Sequence, residues 1–113
     1  MLVASENGAF EARFNFYTLY LYELEFGTDM IKDVFRESTV AEGANGASLV
    51  FEAVNWTAIA KAIWAGAKCA DKRLPRFEDW ASQDNGIDLF TAAGEVVAEI
   101  NKELFRFGVA AAS

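Results

Sequence analysis

The sequence of 113 residues contains no histidine, one cysteine (Cys69) and one proline (Pro75). Without histidine the chain lacks the commonest general base and the commonest neutral metal ligand, and it cannot form a Ser/His/Asp or Cys/His catalytic arrangement. A single cysteine excludes an intramolecular disulfide and a cysteine-based zinc site, and it fits a reducing compartment. These absences predict a protein that is not an enzyme and that carries neither a metal nor another cofactor.

Positive charge is also scarce, because 10 Lys and Arg stand against 17 Asp and Glu, for a net charge of −7. An acidic chain repels phosphate, so neither nucleic acid nor an anionic membrane surface is an expected partner. The most apolar stretch, Trp56 to Ala70, is interrupted by Lys61 and Lys68 and does not predict a membrane span. The N-terminus also lacks the pattern of a secretory signal. We therefore expect a soluble, cytoplasmic protein.

Carboxylates are the remaining candidates for chemistry. Glu95, Glu99 and Glu103 follow one another at four-residue spacing and share one helix face. Lys102 and Arg106 lie beside them in the sequence, which is typical of a solvated helix face rather than a cation site.

Apolar residues are abundant, at 53% of the chain, and the length suits a single domain covering residues 1–113. Residues 2–16 predict a β-hairpin around the turn dipeptide Asn7-Gly8. After this turn, apolar and polar residues alternate, and the predicted inner row is Phe10, Ala12, Phe14 and Phe16. Since a lone hairpin is marginal in water, this row is expected to pack on helices.

Helical spacing begins after the hairpin. It predicts a first helix capped by Thr18, running to Phe26 and stopped by Gly27. A second helix, capped by Thr28 or Asp29, would bury Ile31, Val34 and Phe35. Residues 38–48 are small and polar and predict a loop, whereas residues 49–54 suit either a short strand or the start of the next helix.

Three further helices are predicted in the second half. The first covers Trp56 to Ala70, with one apolar stripe, and a short one containing Phe77 and Trp80 follows Pro75. The last runs from Asp88 to Phe107, and residues 108–113 should fray. The predicted fold class is mainly α (α+β): an N-terminal β-hairpin packed on a bundle of four to five helices, with the helical part over residues 18–107.

Two groups of residues are candidates for partner binding. Phe105 falls off the buried stripe of the last helix and shares a sector with Ala98 and Gly94, whose small side chains would leave a shallow groove for a partner helix. The alternative is that the domain itself covers this helix on two sides. Phe77 and Trp80 form the second group, for which anchoring in the core is the favoured alternative.

Several segments together resemble the tail assembly chaperones of long-tailed (siphovirus-type) bacteriophages and prophages. The likeness spans roughly residues 10 to 107. The segments that carry it are Arg13-Phe14-Asn15-Phe16, Leu19, Leu24-Glu25-Phe26-Gly27, Ile63-Trp64-Ala65-Gly66, Asp71-Lys72-Arg73 and Leu74-Pro75-Arg76-Phe77-Glu78-Asp79, followed by a long amphipathic C-terminal helix.

This resemblance implies a protein of virion morphogenesis. Members of the family bind the long, helical, apolar tape measure protein, keep it soluble and recruit tail tube subunits around it. They act in the cytoplasm of the bacterial host and are commonly absent from the mature virion. The resemblance assigns no catalytic residues. The oligomeric state stays open, and a homo-oligomer in the form of a ring or filament is one of the options.

Two other functions are compatible with the residues. One is another phage head–tail structural or completion protein, which would be found in purified particles. The other is a small acidic adaptor or regulator unrelated to phages, whose gene would stand apart from tail genes.

Overall fold

The computed structural model describes residues 1–36, 40–43, 46–49 and 55–105. The protein is mainly helical, with an N-terminal two-stranded hairpin packed against the helices, which confirms the predicted fold class. In chain order the elements are β1 (Leu2–Val3), β2 (Phe10–Glu11), α1 (Phe16–Phe26), α2 (Met30–Arg36), β3 (Val40–Gly43), β4 (Gly46–Leu49), α3 (Trp56–Ala70), α4 (Phe77–Ala81) and α5 (Leu89–Ile100), and the π-helical segment Asn101–Phe105 continues α5.

The hairpin packs on α3, as predicted, but its strands are short. In the antiparallel pair Val3 lies opposite Phe10, and Gly8 takes a positive φ of 106° in the turn. Beyond β2, the ring of Phe14 is so close to Gly66 of α3 that a Cβ atom there would lie 2.9 Å from Phe14 Cζ. The backbone N–H of Arg13 donates to the Gly66 carbonyl at 3.0 Å, which fixes the hairpin on the helix.

The prediction that Phe16 belongs to the inner hairpin row is wrong, because Phe16 is the first residue of α1 and is 81% exposed. The predicted cap at Thr18 is also wrong. The side chain of Asn15 accepts hydrogen bonds from the N–H groups of Tyr17 (2.9 Å) and Thr18 (3.2 Å), and the Thr18 hydroxyl accepts from the Asn15 N–H. This capping box starts the helix at Phe16 and so ends the strand alternation at Phe14.

The end of α1 and the start of α2 agree with the sequence pattern. Gly27 closes α1 in the left-handed conformation, with φ of 72°. Asp29 caps α2 by accepting from the N–H groups of Ile31 and Lys32. On the inner face of α2, Val34 is buried as predicted, whereas Ile31 and Phe35 are half-buried.

A buried tyrosine joins α1 to α2. The hydroxyl of Tyr22 donates to Asp33 at 2.8 Å, and Thr28 donates to the same carboxylate oxygen. Burial, reinforced by the bond to Asp33 and its negative charge, raises the pKa of Tyr22. The neutral phenol is therefore the form that the fold stabilises.

The predicted loop over residues 38–48 is wrong where the structure describes it, because β3 and β4 form an antiparallel pair. Gly43 lies opposite Gly46 at one end of the pair, and Val40 lies opposite Leu49 at the other. Small residues predict a loop by composition, yet they satisfy their backbone groups equally well in a ladder. Leu49 ends β4, and the ambiguous residues 50–54 lie outside the described part.

The predicted bounds of the central helix α3 are confirmed, but the single apolar stripe is wrong. Residues 62–67 are all buried in sequence, because α1, α2, α4, α5 and the hairpin surround the helix. Lys61 and Lys68, the two charged residues of this helix, are half-buried. The Lys61 ammonium lies 4.9 Å from the centroid of the Phe26 ring.

The second half follows the predicted order with one difference in the last helix. The indole N–H of Trp64 donates to the Pro75 carbonyl at 2.9 Å and ties α3 to the segment before α4. Asp88 caps α5, which buries Val96 and Ile100. After Ile100 the helix turns π-helical rather than continuing as an α-helix. The predicted end at Phe107 and the frayed tail lie outside the described residues.

Candidate binding surface

Helix α1 carries a concentration of exposed apolar side chains. Seven large hydrophobic residues are exposed in the described structure, and four of them belong to this helix. They are Phe16 (81% exposed), Tyr17 (44%), Tyr20 (57%) and Leu24 (67%). We call these four residues the α1 outer face. A contiguous exposed apolar patch is typical of an interaction site, whereas scattered single residues are not.

Helical geometry places the α1 outer face on one side. At about 100° per residue, Phe16, Tyr20 and Leu24 are each about 40° apart, and Tyr17 falls close to Leu24. The face therefore covers a sector of about 100°. Thr18 and Tyr22, on the opposite side, are fully buried. The inner side of α1 belongs to the core, and the outer side is apolar without being part of it.

Two of the aromatic rings of the α1 outer face contact each other, and one of them also contacts a lysine. Tyr17 and Tyr20 stack with ring centroids 5.9 Å apart and an interplanar angle of 25°. The Lys72 ammonium lies 5.9 Å from the centroid of the Tyr17 ring. At the other edge of the sector, the exposed Glu23 follows Phe16 by seven residues. The face thus has a cation beside Tyr17 and an anion on its Phe16 side.

The composition of α1 indicates this surface, although apolar spacing alone does not detect it. Residues 16–26 read FYTLYLYELEF, which is apolar on nearly all sides of a helix. Such a helix is normally buried on all sides. In this structure it is buried on one side only, so the excess of apolar residues marks the α1 outer face.

The structure places the predicted residues Phe77 and Trp80 in an aromatic cluster. The Phe77 ring lies 5.1 Å from Phe26, 6.2 Å from Trp64 and 6.0 Å from Trp80 between centroids. Both predicted residues are half-buried and pack against the core. This arrangement favours the anchoring alternative for the pair.

A carboxylate of α1 fixes the position of that cluster. Oε2 of the partly buried Glu25 accepts from the backbone N–H of Phe77 at 2.8 Å, at the start of α4. The Arg76 guanidinium lies 3.4 Å from Oε1 of the same carboxylate. Glu25 therefore replaces the side-chain cap that α4 does not draw from its own N-cap residue.

The other predicted group lies on α5 and its continuation. Gly94 and Ala98 are exposed one turn apart, and a Cβ atom at Gly94 would meet nothing within 4 Å. Phe105 is 40% exposed, and its ring centroid lies 6.3 Å from that of Phe35. The prediction that Phe105 and Ala98 share a sector assumes 3.6 residues per turn throughout. That spacing ends at Ile100, because the following π-helical segment has more residues per turn. The groove stays a prediction.

A cleft of about 500 Å³ lies between the hairpin turn, the end of α3 and α4, with Phe10, Leu74 and Trp80 in its wall. Its carboxylates already have partners. Asp71 accepts from the backbone and guanidinium N–H groups of Arg73, which lower the pKa of Asp71, and Asp84 accepts from the backbone N–H of Gly86. The third carboxylate in its wall, Glu11, lies 3.2 Å from the N-terminal ammonium group.

The described residues also lack the features of two other kinds of site. No group of three or more His, Cys, Asp or Glu side chains there could hold a metal ion. None of the helices in the same residues has the length and apolar character needed to cross a membrane. Comparisons of the chain with protein-family models, curated proteins and solved structures found no match.

Proposed function

We propose that the protein is a non-enzymatic chaperone that binds an apolar helical segment of another protein. The observation that carries this proposal is the α1 outer face, where four large apolar side chains are exposed in one sector of a helix. Exposing them to water has an unfavourable free energy that a partner removes by covering them. An amphipathic helix suits this surface, because its own apolar residues recur at the same three- and four-residue spacing.

The client and the setting follow from the sequence resemblance. On that basis the protein acts in phage or prophage tail assembly, in the cytoplasm of the bacterial host. It binds the tape measure protein, recruits tail tube subunits and is absent from the mature virion. A net charge of −7 would keep a complex with such an apolar client soluble.

The test begins with the gene locus. Directly downstream we expect a very long reading frame that encodes a helical protein. Near the end of this gene we expect a slippery heptamer, the sequence at which ribosomes shift frame to make a longer form of a protein. Co-expressing that long protein with the chain should raise its soluble fraction several-fold compared with expression alone. Equal solubility in both cultures would contradict the chaperone function. Recovery of the chain in purified particles would instead favour a structural component of the virion.

A further inference from the structure

The size of the α1 outer face indicates what kind of partner it fits. An aromatic side chain has about 200 Å² of surface, so the three rings leave on the order of 350 Å² exposed, and Leu24 extends the face to on the order of 500 Å². A standard interface buries about 800 Å² on each partner. The face is thus smaller than a globular docking surface and matches the side of one helix of about three turns.

Charge, rather than area, argues against a second copy of the chain as the occupant. Two α1 outer faces would together bury about 1,000 Å², the same total as one face covered by a single helix, so area does not separate the two occupants. They would also bring two net charges of −7 together, and like charges disfavour association. A partner with the opposite charge gains from the same field.

The two edges of the face differ in charge, because the Lys72 ammonium lies 5.9 Å from the Tyr17 ring at one edge whereas the exposed Glu23 lies on the Phe16 side. A basic side chain of the partner is therefore preferred at the Phe16 edge. Glu23 is exposed in the sector next to Phe16 and Tyr20, where a basic side chain of a docked helix would meet it. Tyr20 also offers an aromatic face that is already stacked on Tyr17, and a cation can approach such a ring favourably. These contacts supplement the attraction of the acidic chain as a whole.

We infer that the α1 outer face is the seat of a single basic amphipathic helix from another protein, whose apolar residues at four-residue spacing lie along Phe16, Tyr20 and Leu24. This inference rests on the proposed function, since the helix would be the segment of the client that the chaperone covers. It specifies the surface, the charge of the client segment and the register of its apolar residues.

Three synthetic peptides of about 20 residues test the chemistry of the occupant. The first is helical, with a leucine stripe and lysines on the other side; the second has the same composition shuffled to remove the stripe; the third has glutamate in place of lysine. Fluorescence anisotropy should show binding of the first that is at least tenfold tighter than binding of the other two, and added salt should weaken it. Equal binding of the acidic and basic peptides would overturn the inference.

Two leucines of nearly equal exposure provide matched variants for the location. Leu24→Lys places a charge in the α1 outer face, whereas Leu2→Lys adds the same charge on β1, where Leu2 is 64% exposed. Leu24→Lys should weaken binding of the basic peptide at least tenfold, and Leu2→Lys less than twofold, with both circular dichroism spectra unchanged. Equal effects of the two variants would overturn the location. Self-association that Leu24→Lys abolishes would show a second copy as the occupant and overturn the inference.

The failure of this inference can be separated from the failure of the proposed function. If the chain solubilises the long downstream protein and the Leu24→Lys variant does so equally well, the chaperone function is supported and the assignment of the α1 outer face as the binding site is contradicted. If the basic peptide binds at α1 but the downstream protein stays insoluble, the surface holds and the tail assembly function is wrong.

Discussion

Helices α1 and α3 are both rich in apolar residues, yet α3 is buried on most sides and α1 on one. Part of the difference lies in side-chain size, although the buried run of α3 also contains the large residues Ile63 and Trp64. The buried run of α3 includes Ala62, Ala65, Gly66 and Ala67, small residues that let the hairpin and the neighbouring helices approach closely. The outer residues of α1 are large rings that stay exposed. Small residues on α3 thus let its neighbours approach closely, and the large side chains on the outer side of α1 form a surface whose burial the described fold does not provide.

The largest expected effect comes from truncating the same kind of side chain on each helix. Ile59→Ala on α3 should lower the free energy of unfolding by about 3 kcal/mol, because it leaves a cavity in a fully buried site. Leu24→Ala on α1 should change it by less than about 0.5 kcal/mol, as for other surface substitutions. Urea denaturation measures both values. Similar losses for the two variants would mean that α1 is covered in solution.

The same substitution at two glycines, Gly66 and Gly94, compares a crowded helix surface with an open one. Gly66→Ala should destabilise by about 1–3 kcal/mol, since the new Cβ would lie 2.9 Å from Phe14 Cζ and 3.2 Å from Ala12 Cβ. Gly94→Ala on α5 meets nothing within 4 Å and should stabilise by up to about 1 kcal/mol through helix propensity. Thermal unfolding compares the two. A stabilising Gly66→Ala would show that the hairpin does not press on α3.

The same two helices show what the sequence could predict. The bounds of α3 and the end of α1 at Gly27 were predictable, because both depend on local spacing and on a residue that tolerates positive φ. The start of α1 was not predictable. Phe14 and Phe16 continue the alternation of a strand, and this pattern does not reveal that Asn15 is the N-cap of a helix that begins at Phe16. This misplacement of Phe16 also hid the candidate surface.

Which sides of a helix are covered depends on tertiary packing, which sequence spacing does not contain. The apolar stripe predicted for α3 was too narrow, because five other elements surround the helix. For α4, the choice between binding and anchoring could be stated from the sequence, but only the ring contacts of Phe77 favour one answer. On α5, spacing related Phe105 to Ala98 by assuming a regular helix that the π-helical segment interrupts.

A smaller effect is expected at the capping box that starts α1. Asn15→Ala removes the acceptor for two backbone N–H groups and should cost about 1 kcal/mol of unfolding free energy. Asn15→Ser keeps a capping oxygen and should cost much less. Hydrogen exchange of the Tyr17 and Thr18 amides should speed up in the alanine variant only. Unchanged exchange would place the helix start elsewhere and remove Phe16 from the α1 outer face.

The smallest expected effect is a pH dependence that only the charged helix cap shows. Asn15 and Asn55, which cap α1 and α3, do not titrate, whereas Asp88 caps α5 and its pKa is lowered by hydrogen bonds from the Thr91 hydroxyl and backbone N–H. Because the folded pKa lies below the ordinary value of 3.8, the contribution of Asp88 to stability is present above pH 3.8 and is lost as the pH falls through the folded pKa. Amide NMR shifts between about pH 2 and 5 should therefore report a titration at Thr91 that Asp88→Asn removes, while the amides of Thr18 and Ala58 report no titration of their caps. An unchanged Thr91 titration in Asp88→Asn would assign the acid response to another carboxylate.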